Sequence, residues 1–154
     1  MKRIVAALDF SNATPAVVKT AASLAKSYGS ELFLLHVLEP EPTYTAYGFT
    51  PDEFPAIHTF QEEARKRALV KLEELAREVR KKIGEESSAT VKVELAEGSP
   101  LQSLIAFMKE VDANMVIVGS HGHGVFVSLL LGSVADGIVR KAIIPTLVVP
   151  APKE

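Results

Sequence analysis

Residues 114–133 read NMVIVGSHGHGVFVSLLLGS, from Asn114 to Ser133. Residues 114–118 (NMVIV) form a short strand that stops abruptly at Gly119. A glycine-rich stretch follows, and then a helix from about Ser133 to Ala142. Open α/β sheets bind ligands at the carboxyl end of a strand, where the chain turns into a helix. Glycines allow φ > 0 and let backbone N–H groups point into one concavity. A helix N-terminus adds free N–H groups and the positive end of its dipole. Gly132 has no side chain to block close approach, and Ser133 adds a hydroxyl. The pattern suits a phosphate chain, although a glycine-rich turn of this kind also occurs as plain structure.

Two other phosphate motifs do not fit. Gly119 and Gly124 have the P-loop spacing, but Val125 stands where the lysine is needed. Gly122-His123-Gly124 begins a dinucleotide fingerprint, but Val127 occupies the place of its third glycine, and the run does not follow the first strand.

Outward from this stretch, strands and helices alternate. Residues 3–8 (RIVAAL) are apolar on both faces, as a buried parallel strand is. Thr14-Pro15 reads as an N-cap with proline at the first helical position. Val17, Ala21, Leu24 and Tyr28 recur at helical spacing, and Gly29 stops that helix. Residues 31–38 (ELFLLHVL) form a second strand. Prolines 40, 42, 51 and 55 and Gly48 make residues 39–55 irregular, and a connection of that length is often a functional loop. A long helix then runs from about Ala56 to Ile83. Leu69, Leu72, Ala76, Val79 and Ile83 form its apolar stripe. Glu62/Lys66, Glu63/Arg67, Glu73/Arg77 and Glu78/Lys82 are favourable i,i+4 pairs, so its charges read as a solvated face. Residues 90–95 (TVKVEL) alternate as an edge strand does. Gly98-Ser99-Pro100 opens a helix carrying Leu101, Leu104, Ile105 and Met108. Residues 146–149 (TLVV), between two prolines, form the last short strand. The order β-α-β-α-β-α-β-α-β implies a parallel sheet with right-handed crossovers and helices on both faces.

The chain has 154 residues, no cysteine, 47% hydrophobic and 23% charged residues, and a formal net charge of −2. That size fits one domain, taken as residues 1–154. The absence of cysteine excludes disulfides and thiolate metal sites and points to a reducing compartment. Without excess positive charge, nucleic acid is not an expected partner. No apolar stretch approaches a membrane span or a signal peptide, so a cytoplasmic location is expected.

Gly119, Gly122, Gly132 and Ser133 match G-x2-G-x9-G-[ST], and the chain here resembles the ATP-binding universal stress proteins. The resemblance extends to Leu8-Asp9 after the first strand, His36-Val37 in the second, and Pro145-Thr-Leu-Val-Val-Pro150. It implies a Rossmann-like sheet of order 3-2-1-4-5, of the adenine nucleotide alpha hydrolase type. It also implies that Asp9 contacts the ribose, that Val37 hydrogen-bonds adenine through its backbone, and that Ala7 lines the base pocket with Val118 nearby. Gly119, Gly122, Gly132, Ser133 and Val134 would surround ribose and phosphates. His121 stands where relatives often carry arginine, and an imidazole there would donate to a phosphate. The implied cofactor is ATP, or AMP or ADP, with Mg²⁺ or Mn²⁺ held mainly by the phosphates. The implied assembly is a homodimer through the last strand, Thr146 to Val149.

Other readings stand beside these. Asp9 also suits a cap on the turn that follows, through the backbone of Asn12 or Thr14. His121 and His123 could form a metal pair, though no third ligand is evident, and His36 reads as a satisfied histidine at a strand end. No catalytic residue is assigned. The leading expectation is a nucleotide-responsive stress-tolerance module. The alternatives are a slow ATP hydrolase and a dimeric scaffold without nucleotide.

Overall fold

The computed structural model describes residues 1–40, 48, 50–121 and 130–152. Five strands, β1 (Arg3–Leu8), β2 (Glu31–Leu38), β3 (Thr90–Glu97), β4 (Met115–Gly119) and β5 (Thr146–Val149), form one parallel sheet. Its order is β3-β2-β1-β4-β5. Four helices, α1 (Thr14–Tyr28), α2 (Phe54–Ile83), α3 (Pro100–Glu110) and α4 (Ser133–Lys141), make the crossovers.

Alternation along the strands sends side chains to two apolar layers. Ile4, Ala6, Leu32, Leu34 and Ile117 pack with Val17 and Ala21 of α1 and with Leu72, Ala76 and Val79 of α2. Val5, Phe33, Leu35, Val116 and Val118 pack with Leu104, Phe107 and Met108 of α3 and with Ala135 and Ile138 of α4. Phe33 meets Phe107 edge to face at 5.5 Å, an arrangement the ring quadrupoles favour. Helices α3 and α4 approach closely at Gly137, where an added Cβ would collide with Leu101. β3 is an edge strand, with the alternating exposure its sequence suggests. It extends to Glu97, two residues past the expected end, and pairs along its whole length with β2.

The ends of several elements differ from the sequence reading. Thr14 is not the N-cap of α1: Ala13 holds that place, and no side chain caps the helix. The turn begins earlier, because Ser11 Oγ accepts the Ala13 N–H at 3.3 Å and Ser11 O accepts the Thr14 N–H at 3.1 Å. Pro15 keeps its place in the first turn, and Gly29 ends the helix with φ 63°. Tyr28 is exposed, and Ala22 and Ala25 bury in its stead. Helix α2 starts at Phe54, after a 3₁₀ turn at Pro51–Glu53. Thr50 and Glu53 close that start, with the Thr50 N–H donating to Glu53 Oε2 at 2.6 Å. The Thr50 hydroxyl donates to the same carboxylate at 3.1 Å, while the Glu53 N–H donates to Thr50 O at 3.0 Å; Pro55 is tolerated because the first helical turn needs no donor. The buried stripe of α2 uses Ala68 rather than Leu69, which is exposed. Of the four expected ion pairs, Glu63–Arg67 forms at 4.0 Å. Glu62 instead meets Arg65, which also binds Glu97 of β3, and Glu73 meets Arg80. The remainder of the 39–55 connection, residues 41–47 and 49, lies outside the described residues.

Candidate functional site

The strand order reverses between β1 and β4. β1 leads by way of α1 to β2 on one side, and β4 leads by way of α4 to β5 on the other. The two crossovers therefore diverge and leave a crevice at the carboxyl ends of the strands. A cleft of about 450 Å³ lies there. Ala7, Asp9, Val37, Val118, Gly119, His121, Gly132, Ser133 and Val134 all line it. Asp9 and Gly119 are far apart in sequence, yet the parallel pairing of Ile4–Ala6 with Met115–Ile117 brings the ends of β1 and β4 level. Gly122 and His123 lie outside the described residues.

One wall of the cleft is apolar. Ala7, Val37 and Val118 point to the α3/α4 face of the sheet, where Leu35, Leu104 and Val134 join them. The other wall is polar backbone. Among the described residues no side chain caps α4, so the N–H groups of its first turn are, as far as those residues go, left for water or a ligand. Ser133, Val134 and Ala135 line the cleft at that turn. The charged residues among the described lining are Asp9 and Glu39, both acidic.

Gly119 acts by close approach. Neither Gly119 nor Gly132 has a positive φ, contrary to what a glycine-rich turn suggests. A Cβ on Gly119 would stand 3.2 Å from Ala13 Cβ and 3.6 Å from Val17 Cγ2. Glycine there lets α1 rest directly on the end of β4. The buried Gly132 donates its N–H to Ser120 O at 2.7 Å and is the N-cap of α4.

Asp9 Oδ1 accepts the Ser11 N–H at 2.9 Å. The capping expected of this acid is therefore present, but through Ser11 and not through Asn12 or Thr14, because the carboxylate reaches its own turn two residues on. Phe10 follows with φ 60°, a left-handed conformation costly for a side chain with a Cβ. It stacks on His36 at 4.2 Å with the rings 29° apart, and the Lys71 ammonium of α2 lies over the Phe10 ring, 5.2 Å from its centre. His36 Nδ1 lies 2.7 Å from Leu8 O, so His36 is a satisfied strand-end histidine, as its sequence position suggests. Phe10 has no warning in the sequence, because its role follows from a strand and a helix distant along the chain.

Ser120 is the other residue that sequence reasoning missed. It is buried at the exit of β4. Its N–H donates to Val149 O at 2.8 Å, its carbonyl accepts the Gly132 N–H, and its Oγ accepts the Ala151 N–H at 3.0 Å. The same Oγ lies 2.8 Å from His121 Nδ1. A serine between a glycine and a histidine has no distinctive spacing, so only the fold reveals this convergence.

With this geometry established, comparison with known proteins is direct. The model of the universal stress protein family matches residues 1–150. The chain belongs to the universal stress protein family. A universal stress protein of Methanocaldococcus jannaschii is 28% identical over 155 residues, covering 99% of this chain and 84% of that protein. Universal stress protein UspA from Lactobacillus plantarum superposes with a TM-score of 0.80 at 19% identity, covering 96% of this chain and 97% of that one. The universal stress protein from Archaeoglobus fulgidus solved in complex with dAMP gives a TM-score of 0.66 at 24% identity, covering 97% and 98%. These likenesses establish the α/β universal stress protein fold. Among the described residues, no helix is long and apolar enough to cross a membrane.

Proposed function

We propose that this universal stress protein binds an adenine nucleotide, AMP, ADP or ATP, in the cleft between β1 and β4. The observation that carries the reading is the pairing of an apolar wall with an uncapped helix N-terminus in one cleft of about 450 Å³. A purine needs the first and a phosphate the second. The dAMP complex of the Archaeoglobus fulgidus relative supports the choice of ligand.

In this reading the base lies against Ala7, Val37 and Val118, with Val37 offering backbone hydrogen bonds. Asp9 accepts from the ribose hydroxyls. Gly119, Gly122, Gly132, Ser133 and Val134 face ribose and phosphate mainly through backbone, and His121 donates to a phosphate oxygen. The acidic lining by Asp9 and Glu39 opposes a bare triphosphate, so ATP would enter with Mg²⁺ or Mn²⁺ bound to its phosphates.

Residues 1–154 would act in the cytoplasm as one domain whose nucleotide state is the regulatory signal. β5 is an edge strand of the sheet. Its pairing with the β5 of a second copy would give the homodimer. The test is calorimetric titration of nucleotide-stripped protein with AMP and with Mg²⁺-ATP. Saturable binding near one per chain is expected. A folded protein that takes up neither at millimolar concentration would leave the scaffold reading in its place.

A further inference from the structure

We propose that Phe10 is a positioning residue for Asp9. Its ring, braced on β2 and α2, holds a left-handed turn that fixes the Asp9 carboxylate at the cleft, and so lets the site prefer a ribose that carries its hydroxyls. The hold on the carboxylate stands on turn geometry alone; the preference at the ribose rests on the nucleotide reading above.

Asp9 follows β1 directly, is exposed, and lines the cleft. An exposed carboxylate left to itself samples several rotamers, and ordering it when a ligand arrives lowers affinity. Here Oδ1 accepts the Ser11 N–H at 2.9 Å and closes a turn over a single residue, Phe10. The direction of that N–H is set by the peptide joining Phe10 to Ser11, and hence by the Phe10 backbone. Phe10 has φ 60°, the left-handed region that a residue with a Cβ takes only against a cost. Glycine would make the same turn without strain but would leave it loose. Strain of this kind persists where surrounding contacts over-determine it, and here it stands next to the cleft acid.

The ring supplies those contacts. It packs against the apolar layer that α1 and α2 cover, stacks on His36 at 4.2 Å, and has the Lys71 ammonium 5.2 Å from its centre. His36 is tied back to the same stretch of chain, because it pairs with Leu8 across the sheet and its Nδ1 lies 2.7 Å from Leu8 O. Leu8, Asp9 and Phe10 are consecutive. The histidine that grips the first of them therefore also carries the ring of the third, and the acid lies between two fixed points. Strand β2 and helix α2 hold the ring, the ring holds the turn, and the turn holds the carboxylate.

Two measurements on the full chain test this. Without ligand, hydrogen exchange of the Ser11 amide is followed by NMR, with the core amides of β1 as the control for global stability. Phe10→Ala keeps the strain of a Cβ and removes the ring, so the Ser11 amide should exchange about tenfold faster relative to those controls. Phe10→Gly removes ring and strain together, and its loss of protection should be smaller than that of alanine. Unchanged protection in Phe10→Ala, or an equal loss in the two variants, overturns the hold on Asp9. With ligand, AMP and its 2′,3′-dideoxy analogue are titrated by calorimetry. The wild type should prefer AMP, and Phe10→Ala should cut that preference about tenfold by weakening AMP alone, as loss of a hydrogen bond to a charged acceptor does. An unchanged preference, or an equal loss of both ligands as general loosening of the cleft would give, overturns the role at the ribose. A wild type that binds neither ligand removes the nucleotide reading, and the exchange result then decides the hold on Asp9 by itself.

Discussion

Gly119→Ala tests the contact on which the cleft is built. The added Cβ would stand 3.2 Å from Ala13 Cβ and 3.5 Å from His121 O. Comfortable carbon–carbon separation is about 3.5–4.0 Å, so the start of α1 must move from the end of β4 by roughly 0.3–0.8 Å. Overpacking of this kind costs about 1–3 kcal/mol. Against it, alanine orders the unfolded chain less expensively than glycine by about 0.4–1 kcal/mol, and Gly119 has no positive φ to oppose the change. The net loss is on the order of 1 kcal/mol, or a fall of about 2–4 °C in Tm for a chain of this size. Ala13→Gly removes the opposing methyl, so the double variant should recover part of the loss. The assay is a double-mutant cycle by urea denaturation, read as the coupling between positions 13 and 119. A coupling of about 0.5 kcal/mol or more is expected. Additive effects, or a Gly119→Ala variant more stable than the parent, would refute the close-approach account of this glycine.

Three further outcomes are expected. Ala7→Leu fills the apolar wall of the cleft at a partly exposed position; it should abolish AMP binding by calorimetry while Tm stays within about 3 °C, a shift corresponding to less than ~1 kcal/mol. Chelating divalent ions should weaken ATP at least about tenfold while leaving AMP nearly unchanged, because only the triphosphate sets a large negative charge beside Asp9 and Glu39; equal sensitivity of the two nucleotides would argue against the acidic lining as the cause. The hydrogen bond from Lys92, with the charges of Lys92 and Arg3, holds the Glu31 carboxyl below its ordinary value, so the ionised form stabilises the fold. The stability difference between wild type and Glu31→Gln should therefore be present at pH 7, on the order of 0.5 kcal/mol for so exposed a pair, and should vanish as pH falls below the ordinary carboxylate range; a difference that persists in acid would point to packing instead.

How far the chain could be read beforehand depended on the range of the interaction. The five strands and four helices announce themselves by local periodicity, and Pro15, Gly29 and Pro100 mark ends that hold in the fold. Nine of the ten expected ligand-facing residues line one cleft, because each sits at a strand end or a helix start and those ends gather on one side of a parallel sheet. The misread ends have local causes of a finer kind. Thr14 looked like a cap because threonine before proline usually is one, but Ser11 had already begun the turn. Leu69 looked like core, yet the contact surface of α2 is rotated towards Ala68 to let the helix lie on α1 and β3.

The sequence by itself determined the alternation of strands and helices, the family, and a glycine-rich segment poised at a helix N-terminus. These rest on short-range spacing, which survives in a one-dimensional record. Tertiary structure alone decided that Gly119 is a seat for α1, that Phe10, in a left-handed conformation, meets His36 and Lys71, and that Ser120 joins His121 to the end of β5. Each of those depends on partners 26 or more residues away along the chain, and such contacts exist only once the sheet has brought the strand ends together.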